Sequence, residues 1–127
     1  MNRDIIELQK GVKATAVLIE DNDLLQINNS IVLTPTSTDL KLFQSKTIKN
    51  MIENKLILKS KEDICYLAIR NISSLSSALQ GEIEGLIKDR VLSGIELPSN
   101  CVIILTIKDK SEINGISQGL YRFLVEA

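Results

Sequence analysis

Two segments of this chain consist almost entirely of apolar residues, and they constrain the fold more than any other feature. The segments are residues 64–69 and residues 101–107. Neither shows the apolar–polar alternation of a strand with one face in water, so each is predicted to be a strand buried on both faces. An amphipathic helix lies between them. This order favours a three-layer α/β domain, with a mostly parallel sheet of about five strands and helices on both faces.

Weaker patterns along the rest of the chain predict the other elements of such a domain. Strands are expected at short apolar runs rich in β-branched residues, and helices where apolar residues recur at helical spacing. No internal repeat or linker interrupts the 127 residues, so residues 1–127 are predicted to form a single domain. The predicted elements are a helix over residues 4–12, strands over 14–19 and 31–34, a turn over 20–23, a helix from about 40 to 54 capped by Thr38 and Asp39, a short extended segment over 56–58, a last helix after Ser111 and a final strand over 123–125.

The helix between the two apolar strands has the most clearly marked ends. Ser77 and Gln80 have the spacing of a capping box, and Gly94 is expected to end the helix. Gly81 and Gly85 lie inside it, where each costs about 1 kcal/mol relative to alanine, so they are predicted to permit close backbone packing. The apolar stripe consists of Leu75, Leu79, Ile83, Leu86 and Ile87.

The composition excludes several classes of function. The chain has no histidine, which is the commonest general base and metal ligand. Cys65 and Cys101 lie inside apolar strands and are predicted to be buried thiols, too few for a zinc site. A net charge of −1 and the absence of tryptophan argue against a nucleic-acid partner. No segment reaches the ~20 apolar residues of a membrane span, so no membrane partner is expected. The two buried cysteines are typical of a reduced compartment, so a cytoplasmic protein is expected.

The order of segments in the chain resembles that of one known family. Each segment is a weak match alone, but their order and spacing are similar to the core of an AAA+ ATPase of the MoxR or McrB kind, over roughly residues 31–127. The resemblance implies a truncated, P-loop NTPase-like fold in which Arg122 stands where the family has an arginine that reaches a neighbouring subunit. The matching segments are Thr38-Asp39-Leu40, Asn54-Lys55-Leu56, residues 67–72, residues 87–98 with Asp89-Arg90 and Leu97-Pro98, residues 100–108, and residues 116–123 ending in Arg122-Phe123.

The residues that carry ATPase chemistry in that family are missing. No Gly-x-x-x-x-Gly-Lys-Ser/Thr string occurs, although its amides and lysine hold the phosphates. The first strand runs instead into residues 20–23, Glu-Asp-Asn-Asp, and the family's first core helix is missing. Arg70-Asn71 replaces the acidic pair that handles Mg²⁺, a cation that needs oxygen ligands. Lys108 replaces the sensor asparagine, and the family's lid is expected to be absent. The resemblance therefore implies a degenerate core that is not an enzyme, with no catalytic, cofactor-binding or metal-binding residues.

Two functional hypotheses follow from these observations, and residual nucleotide binding is the least favoured reading. The first is a non-catalytic pseudo-ATPase domain that associates with a protein partner, either itself or an active AAA+ relative, with Arg122, Arg90 and Arg70 as possible interface residues. For Arg70 an ion pair with a nearby carboxylate is favoured over binding an acidic ligand, and for Arg122 a surface position beside Phe123 is favoured over an interface. The second hypothesis is a small roadblock-like or other α/β regulatory module. Strand order separates the two, since an AAA+ core has residues 101–107 inside a parallel sheet and a roadblock fold is an antiparallel meander.

Overall fold

Five parallel strands form the central sheet of the protein. The computed structural model describes residues 15–27, 30–36, 46–59, 61, 65–92 and 94–126. In chain order its strands and α-helices are β1 (Ala16–Glu20), β2 (Ile31–Leu33), α1 (Lys46–Lys59), β3 (Cys65–Ile69), α2 (Ser77–Asp89), β4 (Val91–Leu92), β5 (Ile95–Glu96), β6 (Cys101–Ile107), α3 (Gln118–Tyr121) and β7 (Leu124–Glu126). Short 3-10 helices cover Asp21–Gln26, Ile72–Ser74 and Lys110–Gly115.

The strand order in the sheet is β2-β3-β6-β1-β7, and β4 and β5 form a separate antiparallel hairpin. Strand β6 lies at the centre, between β3 and β1, and all seven of its residues are buried. Its residue Ile104 is in register with Val17 of β1 and Ala68 of β3. This confirms the predicted α/β class with a parallel, P-loop-like sheet. The roadblock hypothesis was wrong, because that fold requires an antiparallel meander.

The two faces of the sheet are covered differently. Alternate strand residues such as Leu67 and Ile103 pack beneath α1, α2 and α3 in one large apolar cluster. The opposite side chains, including Ile104, pack with Leu24 and Ile27 in a smaller cluster. Within the described residues, α-helices therefore lie on one face and a 3-10 helix on the other. The predicted helix over residues 4–12 and the cap at residues 38–39 lie outside the described residues.

The connection from β1 to β2 is unusually short. Ten residues, 21–30, separate the two strands in sequence, yet β1 and β2 stand three positions apart in the sheet, about 14 Å at ordinary strand spacing. Parallel strands usually need a crossover of a dozen or more residues, most often an α-helix. Here residues 21–23 of the predicted turn form the first part of the 3-10 helix Asp21–Gln26, which occupies the place of such a crossover helix.

The segment 56–58 was predicted to be extended, and this was wrong. It forms the last turns of α1, which continues to Lys59 rather than ending near residue 54. Leu56 is only 2% exposed and lies one helical turn after the buried Ile52. The apolar residues 56–58 therefore belong to a helix, and Leu56 extends its buried stripe. A run this short does not distinguish a helix from a strand in the sequence.

The ends of α2 also differ from the predictions. The N-cap is Ser76, not Ser77, because the Ser76 hydroxyl accepts a hydrogen bond from the backbone N–H of Leu79. The C-cap is Arg90, in the left-handed conformation with φ 56°, whereas Gly94 lies in the turn between β4 and β5. Among the described residues, no helix is long and apolar enough to cross a membrane.

The glycines inside α2 do not mark a close packing contact. A Cβ added to Gly81 or Gly85 would meet no atom of the described residues within 4 Å. The packing interpretation of these two glycines was therefore wrong, and they leave open space beside the helix.

Candidate functional site at the carboxyl edge of the sheet

The carboxyl ends of the central strands bring together several charged residues that the sequence analysis singled out. Asp21 follows β1, Arg70 follows β3 and Lys108 follows β6. Because β1, β3 and β6 are parallel neighbours, these residues share one edge of the sheet. Open α/β sheets commonly bind ligands at this edge.

An ion pair between Asp21 and Arg70 dominates this edge. Arg70 Nε donates to Asp21 Oδ1 at 2.9 Å, and Arg70 Nη2 donates to Asp21 Oδ2 at 2.5 Å. The Arg70 side chain is 38% exposed and that of Asp21 is 19% exposed. Such a two-pronged contact fixes the orientation of both groups. The pairing expected for Arg70 is present, and the sequence alone did not identify its partner.

Thr106 completes the arrangement from within β6. Its hydroxyl donates to Asp21 Oδ1 at 2.8 Å and accepts the backbone N–H of Asn71 at 3.0 Å. The hydrogen bond from Arg70, followed by that from Thr106, lowers the pKa of Asp21 below its usual value, against the opposing effect of burial. The charge on Asp21 is thus stabilised by donors from two neighbouring strands.

Asn71, directly after Arg70, serves as a turn residue. It adopts the left-handed conformation, with φ 56° and ψ 50°, which asparagine tolerates better than most residues. Its carbonyl accepts the Ser74 hydroxyl at 2.8 Å. The side chain is thus placed on a loop, and the backbone around it is held by internal hydrogen bonds.

An open cleft of about 620 Å³ lies beside this network. Its carboxylates include Glu20, Asp109 and Glu112, and Lys108 is the one cation among its described lining residues. Glu112 Oε1 accepts from the Ser73 hydroxyl at 3.0 Å and from the backbone N–H of Lys108 at 3.1 Å. Apart from Asp21, whose charge is paired with Arg70, the charged side chains that line the cleft are predominantly negative, which disfavours binding of a phosphate group. Within the described part of the chain, no three acidic or cysteine side chains are grouped so that they would hold a metal ion.

Arg90 and Arg122, the other two arginines predicted as interface residues, lie elsewhere. The Arg90 guanidinium donates from Nη2 to the carbonyls of Pro98 at 2.8 Å and Cys101 at 2.9 Å, so it fastens the end of α2 to the start of β6. Arg122 follows α3 and its side chain is 66% exposed. Its Nη2 lies 3.7 Å from Glu84 Oε1, and its guanidinium carbon lies 4.9 Å from the centre of the Phe123 ring. The expected surface position of Arg122 beside Phe123 is therefore observed, and an interface role for any of the three arginines stays a prediction.

Gln80 is a buried polar residue whose role sequence reasoning missed. It is 4% exposed; its Nε2 donates to the carbonyls of Leu75 and Gly115, and its Oε1 accepts the backbone N–H of Ser117 at 2.6 Å. This side chain ties α2 to the segment that leads into α3. Its position on α2 beside the apolar stripe was the one available signal.

Cys65 and Cys101 are buried free thiols, as predicted. They are register partners at the amino ends of β3 and β6. A hydrogen bond between the two thiols, with burial as the next cause, raises the pKa of Cys101 far above its usual range. The Cys101 thiol is therefore protonated and part of the core.

Comparisons with known proteins give no family assignment. No family model and no curated protein matches the chain. Among solved structures, it is similar to a chain in the structure of Drosophila ORC bound to AT-rich DNA and Cdc6, with 14% sequence identity and a TM-score of 0.37. The match covers 90% of this chain and 48% of that chain, so this chain spans about half the length of its structural neighbour. Similarity at this level establishes no relationship. The sheet is P-loop-like in its parallel arrangement with β6 at its centre.

Proposed function

We propose that the protein is a non-catalytic, AAA+-like domain of the MoxR/McrB-like kind, a pseudo-ATPase that acts as a structural or protein-interaction subunit. The observation that carries this proposal is the Asp21–Arg70–Thr106 network at the carboxyl edge of the sheet. A nucleotide site at this edge would need free backbone amides and a lysine for phosphate, and free carboxylates for Mg²⁺. Here the carboxylate is committed to an arginine within the same chain.

Binding of Mg²⁺–ATP would meet two separate obstacles at this edge. The first is the 3-10 helix after β1, whose first turn carries Asp21 and Asp23 and which offers no glycine loop to surround a phosphate. The second is the cleft, where a triphosphate would approach Glu20, Asp109 and Glu112. Like charges within a few ångströms oppose binding more strongly where solvent screening is reduced.

Isothermal titration calorimetry with Mg²⁺–ATP tests the loss of nucleotide binding. We expect no heat of binding for the wild type, and none for Arg70→Ala, because opening the ion pair does not create a phosphate loop. Micromolar affinity corresponds to about 8 kcal/mol, and such affinity in the wild type would contradict the proposal. Binding by Arg70→Ala alone would identify the ion pair as a gate over a competent site and would also contradict it.

The proposed mode of action is association, with a second copy or with an active AAA+ relative, through Arg122. Arg122 is largely exposed and its contact with Glu84, at 3.7 Å, is long for a hydrogen-bonded ion pair. The acidic cleft supplies a complementary surface. The carboxylate of Glu20, unlike that of Glu112, has no hydrogen-bond or ion-pair partner among the described residues. An arginine that becomes buried against such a group often dominates an interface.

Light scattering on concentrated protein, with and without an active AAA+ protein, tests this mode of action. Arg122→Ala should reduce assembly without changing the unfolding midpoint, whereas the matched control Lys88→Ala, another exposed cation, should leave assembly unchanged. Arg122→Glu and Glu20→Arg should each assemble poorly alone and should recover when mixed. A strict monomer that recruits no AAA+ protein would refute association.

A further inference from the structure

A second surface feature, separate from the carboxyl-edge cleft, lies between α1 and the β4–β5 hairpin. It is a groove of about 480 Å³, lined by Glu53, Leu56 and Ile57 of α1 and by residues 94–98. A volume of this size is in the range of ordinary ligand pockets. None of its lining residues takes part in the network around Asp21 or in the contacts of Arg122.

The groove has an apolar floor and an exposed apolar side. Leu56, Ile95 and Leu97 are at most 9% exposed and form the floor, whereas Ile57 is 56% exposed. Leu58, the next residue of α1, is 66% exposed. Adjacent aliphatic side chains left in solvent beside a concave surface are typical of a protein-binding site, because covering them releases water from apolar area.

The charges at the rim indicate which kind of segment would fit. Glu53 on α1 and Glu96 on β5 are both exposed. Neither carboxylate forms a hydrogen bond or ion pair with any residue in the described part of the chain. Lys49 lies at the Gly94 end of the groove, where its Nζ is 3.6 Å from the place that a Cβ on Gly94 would take. An apolar floor between two unpaired carboxylates is complementary to an aliphatic side chain flanked by cations.

We propose that this groove binds a short segment of a partner protein in which an aliphatic side chain is flanked by lysine or arginine. The aliphatic side chain packs on Ile57, Ile95 and Leu97, and the flanking cations meet Glu53 and Glu96. The contact is additional to the association through Arg122 and does not depend on it. It gives the domain a way to hold a peptide that is unrelated to nucleotide chemistry.

Panning a phage-displayed library of random peptides on the wild-type protein tests the proposal. We expect enriched sequences that place a leucine, isoleucine or valine next to lysine or arginine. A labelled peptide of the enriched sequence should bind about tenfold or more weakly to Ile57→Asp, as truncation of an interface anchor does. Binding to the Glu53→Gln/Glu96→Gln double variant should be roughly two- to tenfold weaker and less sensitive to salt, as expected for two exposed ion pairs. In NMR spectra the methyl signals of Ile57 and Ile95 should shift most.

Two control variants separate this site from the rest of the surface. Leu25→Asp changes another highly exposed apolar residue and should leave peptide binding unchanged, as should Arg122→Ala. Failure to enrich any peptide, enrichment of acidic or uncharged sequences, or equal binding by Ile57→Asp would overturn the proposal. A change in oligomeric mass on Ile57→Asp, without peptide binding, would assign the groove to contact between copies of the chain instead.

Discussion

The carboxyl and amino edges of the same sheet are each held by an arginine, but in different ways. At the carboxyl edge, Arg70 binds the carboxylate of Asp21. Toward the amino end of β6, Arg90 binds the carbonyls of Pro98 and Cys101. A carboxylate loses its charge in acid, whereas a carbonyl does not titrate. Two arginines at the ends of elements therefore stabilise the fold differently: the contact of Arg70 depends on pH in the acid range, and the contacts of Arg90 do not.

Substitutions in the core between the two edges should lower the free energy of unfolding more than substitutions at either edge. Ile104 is fully buried at the centre of β6, so Ile104→Ala should lower the free energy of unfolding by ~2–5 kcal/mol. Leu79→Ala, on the buried stripe of α2, should have a similar effect. Leu58→Ala is the control on an exposed site and should change little. Chemical denaturation measures all three, and an unchanged midpoint for Ile104→Ala would show that the central strand is misplaced.

Removal of the Arg90 side chain should lower the free energy of unfolding more than removal of the Arg70 side chain. Arg90→Ala deletes charged hydrogen bonds to two carbonyls, a loss of about 1.5–3 kcal/mol in the free energy of unfolding. Arg90→Gly should be about 1 kcal/mol more stable than Arg90→Ala, because glycine adopts the left-handed conformation of this position without strain. Equal stability of the two variants in urea denaturation would contradict the assigned cap conformation.

Disruption of the Arg70–Asp21 pair should cost about 1 kcal/mol, since the pair is partly exposed and screened by solvent. The folded pKa of Asp21 is lowered below its usual value of 3.8. Stability from the pair is therefore fully present above that value and is lost as the pH falls through the folded pKa. The stability difference between wild type and Arg70→Ala should stay constant from about pH 7 to about pH 5 and shrink in stronger acid.

The corresponding difference for Arg90→Ala should not follow this pH dependence, because its partners are carbonyls. Parallel urea titrations of the three proteins across the same pH range provide the measurement. A difference for Arg70→Ala that persists in strong acid would show that the ion pair with Asp21 does not form in solution.

The smallest predicted effects concern two glycines that take no part in the contacts of Arg70 or Arg90. Gly81→Ala should raise the free energy of unfolding by up to about 1 kcal/mol, because α2 gains helix propensity and the new Cβ meets no neighbour. Gly115→Ala should lower it, because its Cβ would lie 2.8 Å from the carbonyl oxygen of Ser73. Thermal unfolding compares them, and destabilisation by Gly81→Ala would mean that α2 packs against residues outside the described part.

The strands were predictable from sequence, and the polar network was not. β1, β3 and β6 are buried on both faces, so their apolar runs identified them directly. The ion pair of Arg70 was expected, but its partner Asp21 is 49 residues away in sequence, and Thr106 contacts Asp21 across 85 residues. No local pattern encodes such a meeting, since it depends on the order of strands in the sheet.

Local signals also failed where several candidates stood side by side. Ser76 and Ser77 are adjacent and equally suited to capping, and only the backbone geometry selects Ser76. Glycine is the commonest residue to end a helix, yet Arg90 takes that position at a left-handed φ. Its hydrogen bonds to Pro98 and Cys101 offset the conformational cost, and these depend on tertiary structure that the local sequence does not show.

The ten-residue connection between β1 and β2 has an evolutionary consequence. Point substitutions alter side chains, but they do not lengthen a backbone that already spans three strand positions. A glycine loop followed by a helix would require an insertion at this connection, together with repacking of Leu24 and Ile27 on the sheet. Single-residue substitutions therefore cannot give this chain a phosphate-binding loop and crossover helix after β1.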